Sequence, residues 1–363
     1  MFRVPLSGWV DARLNELATL LPADGAAALN GSELLAMRAR LKGLRVPGAV
    51  SAGGGCRFHR TIDGWIALNL SRPDDVELLP ALLCTTDTPR NCAQSLSERL
   101  RTCQTAPLVA QGRLLGMAIA ALDEEPASPA TCTTAVNPMR KARAEQPLVI
   151  DLSALWAGPL AAQLLRRGGA RVIKVESRSR PDAMRAGDPA LFAFLDEGKE
   201  RQMLDLREDE GRSALLALVR KADVVIEAAR PRALAQLGID ADSLVRERPG
   251  LAWITITGHG TAGEAAGWVA FGDDAGVAGG LSMALHDATG RVGFVGDAIA
   301  DPLTGTAAAC EAARLLAAGT GARVILSMSG VVARALLETR NTDPDGLSRS
   351  LEHWAAARGR SFG

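Results

Sequence analysis

VIDLSALWAGPLAAQLLRRGGARVIKVES, residues 149–177, is the stretch whose reading decides the fold. Leu148 to Leu152 is a short apolar run with the length of a buried strand, and Ala170 to Val175 is a second one. Between them Gly158 to Arg167 has helical spacing and stops at Gly168-Gly169. Two short strands joined through a helix must lie parallel, because the crossover reverses the chain twice. The pattern then repeats. Glu210 to Lys221 reads as a helix, Asp223 to Glu227 as a strand, Ser243 to Arg248 as a helix and Leu251 to Thr257 as a strand. Alternation of this kind predicts an α/β fold with a doubly wound parallel sheet, a Rossmann-like large domain. Ligands of such sheets bind outside the carboxyl ends of the strands. The loop Ser153 to Pro159 offers small residues and free amides at a helix start, which suits a polar ligand edge and equally suits a plain turn. It is not G-x-G-x-x-G, so a dinucleotide fingerprint is absent.

Composition narrows the classes of function. Basic and acidic residues balance at 41 each, tyrosine is absent and aromatics are 4%. Neither a charged nor a base-stacking nucleic-acid surface is expected, and any anion has to be held by a local site. Six cysteines (Cys56, Cys84, Cys92, Cys103, Cys132, Cys310) are scattered without C-x-x-C pairs or neighbouring histidines. That pattern predicts no metal site and no disulfide framework, and it fits a reducing cytoplasm. No apolar run reaches the roughly 18 residues of a membrane span, and the amphipathic N-terminus does not resemble a secretion signal.

A chain of 363 residues exceeds what one core usually serves, so two units are expected. Residues 1–125 read as a smaller α+β domain, 126–146 as a linker rich in Pro, Ser and Thr, 147–335 as the large domain, and 336–363 as a tail or linking helix. Within the first unit, Val10 to Leu21 and Ser32 to Leu44 are packing helices around a turn-rich piece at Ala23, Asp24 and Gly25. Phe58 to Leu70 is a hairpin turning at Asp63-Gly64. Helices are expected at Asp74 to Leu83 and Ala93 to Cys103, with further patterns at Ala106 to Gln111 and Gly116 to Leu122. The run Gly53-Gly54-Gly55 is either a linker or a loop whose bare backbone closes on a ligand. Near the other end, an apolar lead (Val295, Ala298, Ile299, Ala300) reads as strand or extended chain and runs into Asp301 and a helix whose first turn holds Pro302 and which continues from Thr306 to Ala317. Proline suits the first helical turn. Asp301 is thereby placed at a helix N-terminus, where a carboxylate can serve as a cap or act on a ligand.

Together these blocks resemble the class III CoA-transferase family, which includes formyl-CoA transferase, carnitine CoA-transferases and the α-methylacyl-CoA racemases. The resemblance rests on the opening stretch, on FLDEGKERQMLDLREDEGRSALLALVRKADVVIEAARPRALAQLGI with Asp196 for the usual Asn, on ITITGHGTAGEAAGWVAFGDDAGVAGGLSMA, and on RVGFVGDAIADPLTGTAAACEAARLLAA. It covers roughly residues 147–335. AGGGCRFHRTIDGWIALNLS is similar to the glycine loop and hairpin that normally follow the large domain, so the order here reads as permuted, with small-domain sequence first.

The resemblance implies an acyl-CoA:carboxylate CoA-transferase that works through a covalent aspartyl intermediate. Asp301 matches the nucleophile of the I-A-D-x-x-x-G block, with Gly305 at its end, and Asp297 is the competitor. Gly54 and Gly55, with Gly53, match the loop whose amides would hold the oxyanion. Positions for coenzyme A, a substrate and product with no further cofactor implied, fall on Trp156, Ala157, Leu204, Asp205, Leu206 and Arg207. Family arginines appear as Ser177 and Gln236, which makes Arg178, Arg180, Arg230 and Arg232 the replacements to consider. The family forms interlocked homodimers. A racemase of the same fold would need a histidine where this sequence has Gly272-Asp273-Asp274, and His259 and His286 lie elsewhere, so transfer is the leading reading. A non-catalytic CoA-binding subunit is the alternative from another class.

Overall fold

The computed structural model describes residues 3–21, 29–85, 93–142, 144–229 and 233–362. Strands β1 (Cys56–Arg60), β2 (Trp65–Asn69) and β3 (Ala118–Ala121) form a small antiparallel sheet in that order. A larger sheet contains β4 (Thr131–Asn137), β5 (Leu148–Asp151), β6 (Arg171–Ser177), β7 (Glu200–Leu204), β8 (Val224–Glu227), β9 (Ala252–Thr257) and β10 (Gly321–Ser327). Its order is β4-β10-β9-β8-β5-β6-β7, all parallel except the antiparallel edge strand β4. The expected doubly wound α/β fold is therefore the observed one.

The inner strands read as continuous apolar runs because both faces are covered. Successive residues alternate between two cores, Val149, Val172, Val224, Ile226 and Ile254 on one face, Ile150, Ile173, Val225 and Trp253 on the other. The first face carries the helices Ala157–Arg167 and Ala300–Ala318. Small residues let these two helices approach closely. A methyl group on Gly305 would lie 2.6 Å from the Ala157 carbonyl oxygen, which gives the glycine of the I-A-D-x-x-x-G block a packing reason.

Three expectations are corrected. Residues 126–146 are not a bare linker, since β4 pairs with β10 there. Alternating Thr and Cys with exposed side chains hid an edge strand that buries little more than Ala135 and Asn137. The apolar lead to Asp301 forms no strand: Gly296 and Ala298 take left-handed backbone angles, φ 78° and 44°, and the chain turns instead. The helix that follows starts at Ala300, with Asp301 and Pro302 in its first turn as expected. In addition, the helices Ser7–Leu20 and Gly31–Leu41 join the large core, where Val10, Leu14, Leu34 and Leu35 share a cluster with Ile299, Leu303 and Cys310. A division at residue 125 therefore does not follow the cores.

The C-terminal helices Met328–Thr342 and Pro344–Ala356 are docked. Trp354 is buried and its Nε1 donates to the Phe294 carbonyl at 2.9 Å. Phe294 in turn stacks on Phe58 of β1, with centroids 4.5 Å apart. The segment that leads into Asp301 is thus held between the small sheet and the C-terminal helix. No helix among the described residues is long and apolar enough to cross a membrane.

Candidate active site

The loop after β5 rests on buried charge. Lys174, from the I-K-V-E strand, donates to the Ser153 carbonyl at 2.6 Å and to Asp182 at 3.1 Å. Lys199, from the G-K block, donates to Asp151 at 2.8 Å and to the Pro159 carbonyl at 2.9 Å. Burial alone would raise the Asp151 carboxyl, but the two lysines hold it below its ordinary value. Asp182 also accepts from the Leu155 amide at 3.1 Å. Leu155 is left-handed, φ 68°, a conformation that costs a non-glycine residue and persists only when its surroundings fix it. These motif lysines thus shape the loop from beneath.

That loop delivers Trp156 and Ala157 to the start of the Ala157–Arg167 helix, both buried. The Ala157 amide donates to the Asp301 carboxylate. Asp301 sits in the first turn of the Ala300–Ala318 helix and is half-buried. Burial comes first among the effects on its carboxyl, with Asp273 and Asp297 pushing the same way, and together they raise it to about 7 against the pull of Arg38 and the Ala157 amide. A carboxylate fully ionised at neutral pH is therefore not what the fold provides.

Around Asp301 stand three more aspartates. Asp273 accepts from the Ala298 amide at 3.0 Å and from the Ser51 hydroxyl, and burial followed by Asp297 raises it to about 6. Its bond to Ala298 holds the left-handed turn just ahead of Asp301. Asp274 is fully buried and accepts from the Phe271 amide at 3.1 Å and from Asn69 Nδ2 at 3.1 Å; burial pushes it to about 8. Asp297 is fully buried and burial raises it as well. Among the described residues the cation bonded to them is Arg38. Arg38 donates to Asp297 through Nε at 2.9 Å and through Nη2, and its guanidinium lies 5.3 Å from the Trp156 ring centre.

The glycine loop closes the other side. A methyl on Gly53 would lie 2.8 Å from Arg38 Nη2, and Ser51, just before the loop, donates to Asp273. Ser71 lies against Gly55 so closely that a side chain there would collide with its hydroxyl, and Ser71 in turn donates to Asn69. Gly54 is left-handed, φ 80°, and its amide already donates to the Ser51 carbonyl at 2.9 Å.

The remaining expected positions lie at the carboxyl ends of β6 and β7. The Arg178 amide donates to the Leu204 carbonyl at 2.9 Å. Leu204 is buried, Leu206 is half-buried, and Arg207 is exposed and paired with Asp205 at 2.9 Å. Arg180 is exposed, as is Gln236. Arg230 and Arg232 lie outside the described residues. A separate cavity of about 360 Å³, lined by Glu227, Thr255, Thr257 and Arg323, opens elsewhere. Glu227 shares a strand face with Val225, so this cavity is on the sheet face away from Asp301. Sequence reasoning missed Arg38 because its helix reads as a packing helix. The signal was an arginine set among Leu34, Leu35 and Ala39, all buried.

These carboxyls make a testable statement about pH. Each binds its proton more tightly folded than unfolded, so between about pH 4 and pH 8 the contribution of these groups to stability falls as pH rises. Asp274 is pushed up to about 8 by its burial. Asp274→Asn, which keeps an oxygen for the Phe271 amide, is expected to remove part of the decline in Tm between about pH 4 and pH 8 and to raise Tm at the alkaline end. Melting curves across that range check it, and an unchanged slope would show that Asp274 ionises without penalty.

Comparison with known proteins yields a match of the family description "CoA-transferase family III" to residues 145–344. Acetyl-CoA:oxalate CoA-transferase of Acetobacter aceti is 34% identical over 194 residues, 50% of this chain and 49% of that protein. Succinate–glutarate CoA-transferase of Agrobacterium fabrum is 32% identical over 205 residues, 52% and 51% of the two chains. The chain spans about half the length of the curated relatives it matches. Among solved structures, a hypothetical protein of Mycobacterium tuberculosis aligns at 26% identity with a TM-score of 0.48, covering 57% of this chain and 60% of that one.

Proposed function

We propose that this chain, which belongs to CoA-transferase family III, moves coenzyme A between small carboxylic acids with Asp301 as the nucleophile. The observation that carries the reading is the placement of one half-buried carboxylate in a helical first turn, held by the Ala157 amide beside Trp156 and near the glycine loop. An Asp301 oxygen attacks the thioester carbonyl of an acyl-CoA, the C–S bond breaks, and a mixed anhydride and the CoA thiolate result. The thiolate attacks the Asp301 carbonyl and expels the first acid. An acceptor carboxylate then displaces the thiolate, which finally takes the new acyl group and restores Asp301. Every nucleophile acts in its anionic form, Asp301 from its ionised fraction, and atoms balance without water.

The rest of the site follows from this reading. Gly53 and Gly55 amides face the developing oxyanion. The thioester end of coenzyme A lies at Trp156 and Ala157, and its phosphates lie toward Arg178 and toward Arg207, which exchanges Asp205 for phosphate. Relatives named for oxalate, malate, succinate and glutarate transfer point to small dicarboxylic acids as substrates. The permuted order, an interlocked homodimer and a cytoplasmic setting belong to the same proposal.

The test is mass spectrometry after incubation with acetyl-CoA or succinyl-CoA and a quench with hydroxylamine or borohydride. A modification on the peptide containing Asp301 is expected. No modification with either donor, together with unimpaired exchange in Asp301→Ala, would sink the covalent reading. The racemase reading is favoured only by the second carboxyl, Asp273, set beside Asp301, and α-hydrogen exchange into deuterated water without transfer would select it.

A further inference from the structure

Arg38 belongs to a helix, Gly31–Leu41, that lies outside the matched residues 145–344. It reaches the site all the same. Its bidentate grip fixes the fully buried Asp297, four positions before Asp301, while its guanidinium lies by Trp156 and its Nη2 meets Gly53. A two-pronged grip fixes direction as well as charge, which a point charge does not. Three parts that come from distant sequence, the turn before Asp301, the loop after β5 and the glycine loop, therefore meet on one side chain.

We propose that Arg38 is the positioning residue of this site, supplying the positive charge in direct contact with the aspartate cluster and locking the turn that presents Asp301. The inference rests on the reading of Asp301 as nucleophile. The groups that face it can be named element by element. From the Gly272–Ala278 helix comes Asp273; from the turn, Asp297; from the Ala300–Ala318 helix, Asp301; Asp188 and Lys42 act on Asp297 from further off. Arg38 is the largest influence that favours the charged form of Asp301 and is also the partner of Asp297. Its own desolvation is outweighed by Asp297, so it stays a cation. Without it three carboxyls share a low-dielectric space uncompensated, and each additional ionisation is penalised.

The test uses Arg38→Met and Arg38→Lys in the full chain, with two readouts. In the first, the rate of acyl loading from acetyl-CoA is followed against pH. The midpoint is expected to rise by about one pH unit or more in the methionine variant and less in the lysine variant, with KM for acetyl-CoA little changed. In the second, substrate-free protein carrying carboxyl-13C aspartate is titrated by NMR, the Asp301 signal being the one lost in Asp301→Asn. Its midpoint should rise in the same order. An unmoved Asp301 midpoint in both variants overturns the proposal, as does a KM effect without a midpoint shift, which would make Arg38 a substrate contact. If the methionine variant does not fold, the lysine variant decides by the same criterion. Absence of loading in the unsubstituted protein would count against Asp301 as nucleophile, while the NMR titration would still judge Arg38.

Discussion

Asp301→Asn is expected to abolish acyl loading and to lower transfer by at least about three orders of magnitude, because an amide nitrogen cannot form the anhydride. The shape of the site is preserved in this variant, since the Asn oxygen still accepts from the Ala157 amide that now serves the carboxylate. The same substitution has a second expected result of opposite sign. Burial raises the Asp301 carboxyl to about 7, so keeping it charged above that pH costs folding free energy, and a neutral amide escapes the cost. The variant is therefore expected to melt at a higher temperature than the unsubstituted protein above about pH 7 and at a similar one near pH 4. A dead enzyme that is more stable only when alkaline separates a strained nucleophile from a helix cap. Loss of a cap would cost stability at every pH at which the carboxylate is charged. Mass spectrometry of the loaded peptide and melting curves at several pH values read both effects.

The sheet was legible because its physics is local. Leu148 to Leu152 and Ala170 to Val175 are apolar on both faces, and only a strand with helices above and below it uses that pattern. Less local features were not legible. β4 is an edge strand with mostly exposed Thr and Cys side chains, so no hydrophobic period marks it. The chain before Asp301 looks like a strand by composition, yet Gly296 and Ala298 break it, and the break depends on Asp273 of another helix holding the Ala298 amide. Arg38 meets Asp297 across 259 positions of sequence, a pairing that no window contains.

The motif blocks carry two kinds of residue that sequence cannot separate. Lys174 and Lys199 look like anion binders, but their Nζ atoms are already occupied by Asp182, Asp151 and loop carbonyls. Their work is to fix the loop that carries Trp156 and Ala157. Asp301 looks like a cap, and its side chain instead accepts from an amide of a different helix. What distinguishes the two is where the fold leaves a group half-exposed, and only the assembled structure states that.

Gly272 tests how tightly that position is held. It opens the Gly272–Ala278 helix, and a methyl built on it collides with Asp301 Oδ2 and with the Ala298 carbonyl, its carbon at 2.7 Å. Neither neighbour can step aside cheaply. Ala298 is already left-handed and its amide is tied to Asp273, while Asp301 is tied to Ala157. Gly272→Ala is therefore expected to push the Asp301 carboxylate away from the glycine loop. A displacement of about 1 Å can lower a rate roughly a hundredfold when the reacting groups depend on alignment, and overpacking should cost about 1–3 kcal/mol of stability. The loss should fall on kcat for acyl loading rather than on KM, because Arg178 and the Asp205–Arg207 turn lie at the far carboxyl ends of β6 and β7. Single-turnover loading and a denaturant titration measure the two terms. Full activity with unchanged stability would mean that the turn before Asp301 yields easily, and the account of Asp273 and Arg38 as its anchors would then fail with it.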